Sequence, residues 1–327
     1  MTPATTEFAL RPFEDADYEN LAVLLSISFP EYPLTADEMR THDKMRDPKC
    51  KWGAWVAEAS GQLVGTVEWS QNSFAYHPQK FRLNLMVHPD WRAKGIGTAL
   101  YDQTMQDLEP FDPVAIKASV REDWPASVAF AAKRGFVEEM RHWESNLDVS
   151  AFDGSQFDAA GAKAQENGIA VWTHAELSER PDHLRRLYEL TETVARDVPS
   201  TDAPTGLEYE QWLKYMEMPG FLPDATFVAL DSGGNYVGFS NLFASEADPD
   251  HLQTGLTGVR RENRRQGIAL ALKLRAVEFA QARGAKKIRT SNESNNRGML
   301  SINEALGFAK QPAWINLVYR IKNAESA

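Results

Sequence analysis

Apolar residues follow two spacings along the chain. Short stretches alternate apolar and polar positions, which is typical of strands, and longer stretches repeat apolar residues every three or four positions, which is typical of helices. In the first half these spacings predict, in chain order, a strand at 8–13, helices at 15–28 and 35–45, a hairpin at 53–59 and 63–70, a strand at 81–87, a helix at 96–108, a strand at 113–119, a helix at 125–134 and a closing strand from 136. Thr35 and Glu38 have the spacing of a capping box at the start of the second helix.

The second half repeats this order of elements. Its hairpin turn is at 231–235, where Asp, Ser, Gly and Asn cluster, and its central helix is predicted at 267–282. A hairpin that leads into a central strand and then a helix favours an α/β fold with a mixed sheet, of the α+β kind, over a doubly wound parallel sheet.

Two sequence features recur at one offset, which indicates an internal duplication. Arg92-Ala-Lys-Gly-Ile-Gly97 and Arg264-Arg-Gln-Gly-Ile-Ala269 are 264 − 92 = 172 positions apart, and the Gly-Phe pairs at 135–136 and 307–308 are also 307 − 135 = 172 apart. We therefore predict an N-terminal domain at 1–150, a connector at 151–167 and a C-terminal domain at 168–327, a division consistent with the ~100–200 residues of a usual domain.

The repeated segments have the character of pyrophosphate-binding loops. Each follows a strand that ends in valine, at Val87 or Val259, and opens a helix with small residues. Small residues allow a ligand close to the backbone, and the unpaired N–H groups of a helix start attract phosphate. A Walker loop is excluded because no Gly-Lys-Ser/Thr follows, and a dinucleotide fingerprint is excluded because Leu100 and Leu272 replace its third glycine.

Composition and charge narrow the class of partner. Lys and Arg number 35 and Asp and Glu 46, a net charge of −11, which disfavours nucleic acid and anionic membranes and suits a cationic or neutral small substrate. Cys50 is the single cysteine, the N-terminal segment lacks a signal-peptide pattern, and no apolar run approaches the ~18 residues of a membrane span. We expect a cytoplasmic protein without a disulfide, a membrane anchor or a metal site.

The loops and the Gly-Phe pairs resemble those of the GNAT N-acetyltransferases, over nearly all of both halves. The resemblance implies two tandem GNAT-like domains, an acyltransferase activity and acetyl-CoA as cosubstrate. In that family the loop amides hold the CoA pyrophosphate, a splayed central strand polarises the thioester carbonyl, and the amine attacks directly. The positions that match the family's cofactor site are Val87, Arg92, Ala93, Lys94, Gly95, Ile96 and Gly97 in the first half, and Gly258, Val259, Arg264, Arg265, Gln266, Gly267, Ile268 and Ala269 in the second.

Differences between the halves favour the second as the catalytic one. Asn292 and Asn295 follow its last central strand, where side-chain amides can hydrogen-bond the pantetheine arm, whereas the first half has Val120 and Asp123 there. Gly255 and Gly258 also fit a bulge or a close ligand approach in its central strand. The alternative is that the asparagines only form a turn before the next helix.

Residues for proton transfer are less evident. The family's usual tyrosine acid is replaced by Ala131 and Asn303, so that we expect Asn303 to donate a hydrogen bond to the leaving thiolate. Asp197, in the loop after the first helix of the second half, is the candidate general base, and a helix-end role is the alternative for it.

The sequence thus predicts an N-acetyltransferase that acts on the amine of an unidentified small molecule or peptide, as a monomer (a pseudo-dimer of its two halves) or a homodimer. Two alternatives stay open. The first alternative is a CoA-binding sensor or scaffold protein without catalysis. The second is an enzyme in which both halves are active on one class of acceptor.

Overall fold

The computed structural model describes residues 7–321, which form two compact units. The first unit contains the chain up to Glu139, the short segment Glu246–Asp248 and the chain from Ile315 onward. The second contains Met140–Ser245 and Pro249–Trp314. Each unit combines helices with a mixed sheet, as the sequence predicts.

The first unit is built around a mixed sheet whose strand order is β1-β2-β3-β4-β5-β13. Its β4 and β5 run parallel, and β1 to β4 are joined antiparallel. Its elements are β1 (Ala9–Pro12), α1 (Tyr18–Ser28), α2 (Ala36–Lys44), β2 (Trp52–Ala59), β3 (Gln62–Ser70), β4 (Lys80–Val87), α3 (Ile96–Leu108), β5 (Ala115–Arg121), α4 (Pro125–Ala132) and β13 (Trp314–Arg320), the last belonging to this unit from Ile315. The predicted capping box is confirmed at α2, where the Thr35 side chain accepts from Glu38 N–H and the Glu38 carboxylate accepts from Thr35 N–H.

The second unit has the strand order β6-β11-β10-β9-β8-β7, again with one parallel pair, β10 and β11. Its elements are β6 (Val137–Asp148), which belongs to this unit from Met140, α5 (Asp158–Glu166), β7 (Ala170–Thr173), α6 (His174–Leu177), α7 (His183–Ala195), α8 (Tyr209–Met216), β8 (Phe221–Leu230), β9 (Tyr236–Ala244), β10 (His251–Val259), α9 (Ile268–Arg283), β11 (Lys287–Glu293), α10 (Arg297–Ala305) and β12 (Ala309–Lys310).

Both units close their sheets with a strand from the other half of the sequence. The strand after α4, β6, pairs antiparallel with β11, and the strand after α10, β13, lies beside β5. Ile315 and Leu317 of β13 are buried in the core of the first unit, and Leu147 of β6 is buried in the core of the second. The compact units therefore do not divide at residue 150 as a sequence repeat suggests, because periodicity identifies a strand but not its partner.

The segment 151–167, predicted as a connector, contains the helix α5. Phe152 and Phe157 stack with their ring centroids 5.7 Å apart, and Phe157 belongs to the core of the second unit. The segment is thus partly structured, and its two large apolar residues contribute to packing.

A glycine in each hairpin brings the central helix close to the sheet. A Cβ on Gly65 would lie 3.0 Å from the Ile96 side chain, and one on Gly238 would lie 2.8 Å from the Ile268 side chain. Glycine at these two positions lets the first turn of α3 and of α9 pack directly over a strand. This close packing fixes the start of each helix, and with it the loop before the helix, next to the central strand.

Within residues 7–321 no helix has the length and apolar character needed to cross a membrane.

Candidate active site

The loop before each central helix alternates left-handed backbone conformations. Ala93 has φ 60° and Gly95 φ 89°, and at the matching positions Arg265 has φ 65° and Gly267 φ 84°. A Cβ on Gly95 would meet no atom within 4 Å, so the positive φ, and not crowding, favours glycine there, and the positive φ of Gly267 favours glycine in the same way. Such alternation turns successive N–H groups toward one side, and with the free N–H groups of the helix start it forms a concave anion site.

The first arginine of each loop is tied to the strand that precedes it. Arg92 Nε donates to the Val87 carbonyl and Arg264 Nε donates to the Val259 carbonyl, both at 3.1 Å. The sequence suggests that these arginines add charge for a phosphate. The structure adds a second role for them, which is to hold the strand end against the loop.

The same strand ends turn backbone groups away from the neighbouring hairpin strand. Arg260 N–H donates to the Val237 carbonyl on β9, and because strand residues alternate, the N–H of Val259 points away from β9. His88 N–H donates to the Val64 carbonyl in the same way, which directs the N–H of Val87 away from β3. The Val259 N–H therefore faces the side of β11, and the Val87 N–H faces the side of β5.

The parallel pair in each unit separates before it reaches the loop. In the second unit β10 and β11 pair only through 251–253 and 287–289, although β10 continues to Val259 and β11 to Glu293. In the first unit β4 and β5 pair only through 80–82 and 115–117. Both units therefore contain a gap between two strands that opens toward the loop, which is a shape able to admit an extended chain.

Only the central strand of the second unit has a bulge where this gap opens. The register of β10 against β9 shifts between Thr254 and Thr257, whereas β4 and β3 stay in register from Gly65 to Ser70. The side-chain oxygen of Asn241 accepts a hydrogen bond of 2.9 Å from Leu256 N–H and thereby stabilises the bulge. A bulge re-aims the backbone groups of the strand, so the two gaps differ in their hydrogen-bonding surface.

The glycines in this strand serve packing as well as the bulge. A Cβ on Gly255 would lie 2.6 Å from Asn241 Oδ1, and one on Gly258 would lie 2.6 Å from Val194 Cβ on α7. The lack of a side chain at Gly258 therefore serves packing against Val194, and the contact of Gly258 with a cofactor stays a prediction. What Gly258 still offers a cofactor is its backbone.

Asn292 and Asn303 are bonded to each other. Asn303 Nδ2 donates to Asn292 Oδ1 at 2.5 Å, and Asn303 is only 2% exposed. Its Oδ1 has no hydrogen-bond partner among residues 7–321. One of the two Nδ2–H groups of Asn303 is thus engaged with Asn292 and orients the Asn292 amide, and donation from Asn303 to a thiolate stays a prediction.

Asn295 is engaged with a buried carboxylate. Its backbone N–H and its Nδ2 donate to Glu293 at 2.8 and 3.0 Å, and Glu293 is 3% exposed. Asn296 accepts from Met299 N–H and caps α10. For Asn295 the arrangement therefore matches the alternative of a turn former, and it disagrees with a free amide that contacts pantetheine.

Asp197 lies against the loop of the second unit. Its Oδ1 accepts from Arg261, with an Nε distance of 2.9 Å, and its Oδ2 accepts from Arg264 Nη2. Hydrogen bonds from Arg261, together with the charge of Arg264, hold the pKa of Asp197 below its usual value. A general base works best when its pKa lies near the working pH, so this environment disfavours Asp197 as the base and favours the structural alternative.

A cleft of about 410 Å³ adjoins this ion pair. It is lined by residues 196–204, Arg261 and Arg264. The sequence identifies the arginines as a positive cluster, but nothing in it shows that a carboxylate some sixty residues earlier neutralises them.

Within residues 7–321 no group of three or more His, Cys, Asp or Glu side chains could hold a metal ion.

Comparisons with known proteins agree with this geometry. A family model described as "Acetyltransferase (GNAT) family" matches residues 18–136 and 184–308. A mycothiol acetyltransferase of Renibacterium salmoninarum is 25% identical over 249 residues, which are 72% of this chain and 66% of that protein. Another, from a Nocardioides species, is 22% identical over 294 residues, which are 82% of this chain and 95% of that protein.

Solved structures show the same fold over the whole chain. A tandem GNAT protein from the clavulanic acid biosynthesis pathway aligns with a TM-score of 0.76 at 19% identity, covering 98% of this chain and all of the other. A GCN5-related N-acetyltransferase from Sphaerobacter thermophilus aligns with a TM-score of 0.70, also at 19% identity, covering 99% and 98%. The two matched regions and the tandem structure confirm the predicted duplication.

Proposed function

The chain belongs to the GNAT acetyltransferase family, and from that membership we propose that it moves the acetyl group of acetyl-CoA to the amine of a small molecule or peptide. The observation that carries the proposal is in the second unit, where an anion-binding loop, a strand gap and a bulged central strand meet. The first unit has the loop and the gap without the bulge. The second unit is therefore the proposed catalytic one.

Acetyl-CoA would bind along the loop and into the gap. The N–H groups of Arg265 to Ala269 and the start of α9 face a diphosphate, and the exposed Arg265 side chain adds a positive charge. The pantetheine arm would lie between β10 and β11, where unpaired strand groups can hydrogen-bond its amides. Asn292, oriented by Asn303, borders the same gap.

The reaction would proceed by direct attack of the amine. The Val259 N–H, which points away from β9, polarises the thioester carbonyl. The amine nitrogen forms the C–N bond and gives a proton to solvent, the C–S bond breaks, and CoA leaves as a thiolate that takes a proton from solvent. Holding the two reactants in one gap supplies a large part of the rate. Asp197 is not proposed as the base because its arginine partners lower its pKa.

The first unit is proposed as a second CoA-binding site without catalysis. Its loop, Arg92 to Gly97 after Val87, repeats the left-handed alternation at Ala93 and Gly95. Its central strand lacks the bulge, and Lys94 lies 4.5 Å from the Trp91 ring centroid at the side of the loop. We expect it to bind CoA and to turn over no acceptor.

A pair of glycine substitutions in one helix tests the proposal. Gly267→Val forces a side chain at φ 84° in the loop, and Gly284→Val forces one at φ 77° at the other end of α9, where a Cβ meets no atom within 4 Å. Both variants carry similar backbone strain. In calorimetry with acetyl-CoA, Gly267→Val should remove the site of the second unit and Gly284→Val should retain it; equal binding by both variants contradicts the proposal.

Turnover separates an enzyme from the alternative, a CoA-binding sensor or scaffold. That alternative is supported by the absence of the family's tyrosine at both Ala131 and Asn303. The protein is incubated with acetyl-CoA and a panel of amines, peptides and antibiotics, to which the acceptor of mycothiol acetyltransferases is added because of the relatives' name. Release of free thiol above background supports the enzyme, and binding without release supports the sensor.

A further inference from the structure

The ion pairs of Asp197 join two loops of the second unit. Arg261 and Arg264 belong to the segment before α9, and Asp197 belongs to the segment after α7. The Asp197 side chain is 14% exposed, whereas those of Arg261 and Arg264 are 77% and 46% exposed. One largely covered carboxylate thus pairs with two solvent-accessible guanidinium groups.

A carboxylate in this position resembles part of a phosphate. Arginine binds the oxygens of carboxylates and of phosphates with the same forked geometry. The two arginines stand at the entrance of the loop whose N–H groups form an anion site, and Arg264 is held there by its bond to the Val259 carbonyl. Any diphosphate at this loop therefore meets arginines that are already paired.

The loop of the first unit has no such competitor. Asp197 is the second residue after the end of α7, and the second residue after the end of α1, the corresponding helix of the first unit, is Pro30, which has no carboxylate. Arg92 bonds to the Val87 carbonyl and Lys94 lies over the Trp91 ring, and neither pairs with a carboxylate within residues 7–321. The nearby carboxylate Glu31 pairs instead with Arg121 at the end of β5.

We propose that Asp197 is a built-in competitor for the phosphate groups of the cosubstrate, and that binding of acetyl-CoA to the second unit displaces it and frees the segment 196–204. This inference rests on the proposed function for the identity of the ligand. A diphosphate carries more charge than one carboxylate and also accepts hydrogen bonds from the N–H groups of the loop. At sufficient concentration it therefore displaces the carboxylate from the arginines.

Two consequences distinguish this arrangement from an ordinary surface ion pair. The second unit binds CoA more weakly than its loop alone would, because the Asp197 contacts must break. The segment 196–204, which lines the cleft beside the loop and already exposes Arg196, Val198 and Ser200, loses its tie to the loop and gains freedom to move once CoA has bound.

Calorimetry with the full chain tests the competition. Asp197→Asn should tighten binding of acetyl-CoA, and of inorganic pyrophosphate, about two- to fivefold at the site that Gly267→Val removes, because ion pairs with solvent-accessible arginines contribute about that much. The CoA site of the first unit, which Gly95→Val should remove, should bind acetyl-CoA with the same affinity in Asp197→Asn as in the wild type. Asp250→Asn, which deletes a carboxylate paired with Lys286, has the same change of charge and should have no effect.

Trypsin cleavage after Arg196 tests the release. In the wild-type protein acetyl-CoA should accelerate this cut severalfold, although a bound ligand usually protects, and Asp197→Asn should be cut rapidly with or without acetyl-CoA. Protection by acetyl-CoA, or unchanged or weaker pyrophosphate binding by Asp197→Asn, overturns the inference. If Asp197→Asn tightens binding while no amine is acetylated, the competition by Asp197 is supported and the proposed acetyltransferase activity is wrong. If amines are acetylated but Asp197→Asn has neither effect, the activity is supported and the competition is wrong.

Discussion

Gly258 shows that a glycine beside a cofactor loop can serve packing instead of a ligand. The position of its missing Cβ is 2.6 Å from Val194 Cβ. Gly258→Ala should therefore destabilise the second unit by about 1–3 kcal/mol through overpacking, with a lower midpoint in urea unfolding. Loss of acetyl-CoA binding at unchanged stability is the result that contradicts this explanation.

Lys273 is a buried titratable group on α9 that the proposed reaction does not use. Lys273 is 3% exposed. Its Nζ lies 5.2 Å from the Phe308 ring centroid and has no hydrogen-bond partner within residues 7–321. Burial lowers the pKa of Lys273 to about 8. The matching residue of the first half is Tyr101, since 273 − 172 = 101.

This pKa predicts how stability depends on pH. The unfolded chain binds the Lys273 proton up to its ordinary pKa of 10.5 and the folded chain only up to about 8, so stability should rise as pH increases from 8 to 10.5. Lys273→Met should remove that rise and stabilise the protein at pH 7 by about 1–3 kcal/mol. Urea unfolding at pH 7 and pH 9.5 measures both; a variant less stable than wild type at pH 7 would show that the ammonium has a partner.

At the scale of elements, the bulge of β10 depends on one side chain. Asn241 is 4% exposed and holds Leu256 N–H. Asn241→Leu leaves that N–H without its acceptor, which should cost about 1–3 kcal/mol and let the strand regain a regular register. In the proposed reaction the bulge aims the backbone groups that would face the thioester, so we expect kcat to fall at least tenfold while the affinity of the second unit for CoA changes little.

Ser240, the neighbour of Asn241 on β9, provides the control for this variant. Its hydroxyl bonds to the Thr257 hydroxyl at 2.9 Å, whereas the acceptor of the bulged Leu256 N–H is Asn241. Ser240→Ala should lose a similar amount of stability with a much smaller change in kcat. Equal losses of kcat in both variants would mean that the bulge itself does not matter.

Local patterns in the sequence predict the helices and loops well, because their signals lie within a few residues. The helix predicted at 96–108 is α3, and the loop glycines Gly95 and Gly267 adopt the positive φ that a loop of this kind requires. The Asp197 pairing and the Asn241 contact were not predictable, since each joins residues far apart in sequence. Asn303 was identified by its position, but its bond to Asn292 depends on tertiary packing.

At the scale of the whole molecule, the exchange of closing strands predicts how fragments behave. A fragment that ends at residue 150 lacks Ile315 and Leu317, which are buried in the core of the first unit, and it exposes the edge of β5. We expect this fragment to be unfolded or aggregated by circular dichroism and gel filtration. Adding residues 309–321 through a flexible linker should restore folding, and a folded 1–150 fragment would contradict the role given to β13.

A chain cut between 151 and 157 should behave differently from the fragment. Each piece still supplies a strand to the unit formed mainly by the other piece, so the pieces should co-purify in native buffer and separate in denaturant. Sedimentation of the uncut protein would at the same time decide between the expected monomer and homodimer.

The exchanged strands also limit what evolution can remove. In a duplicated gene an idle copy is usually free to decay or to be deleted. Here the sheet of the second unit ends in residues 140–148, which are encoded by the first copy, and the sheet of the first ends in residues 315–320, encoded by the second. Even if one unit has lost its chemistry, selection on the other is enough to preserve both copies as a single inherited element.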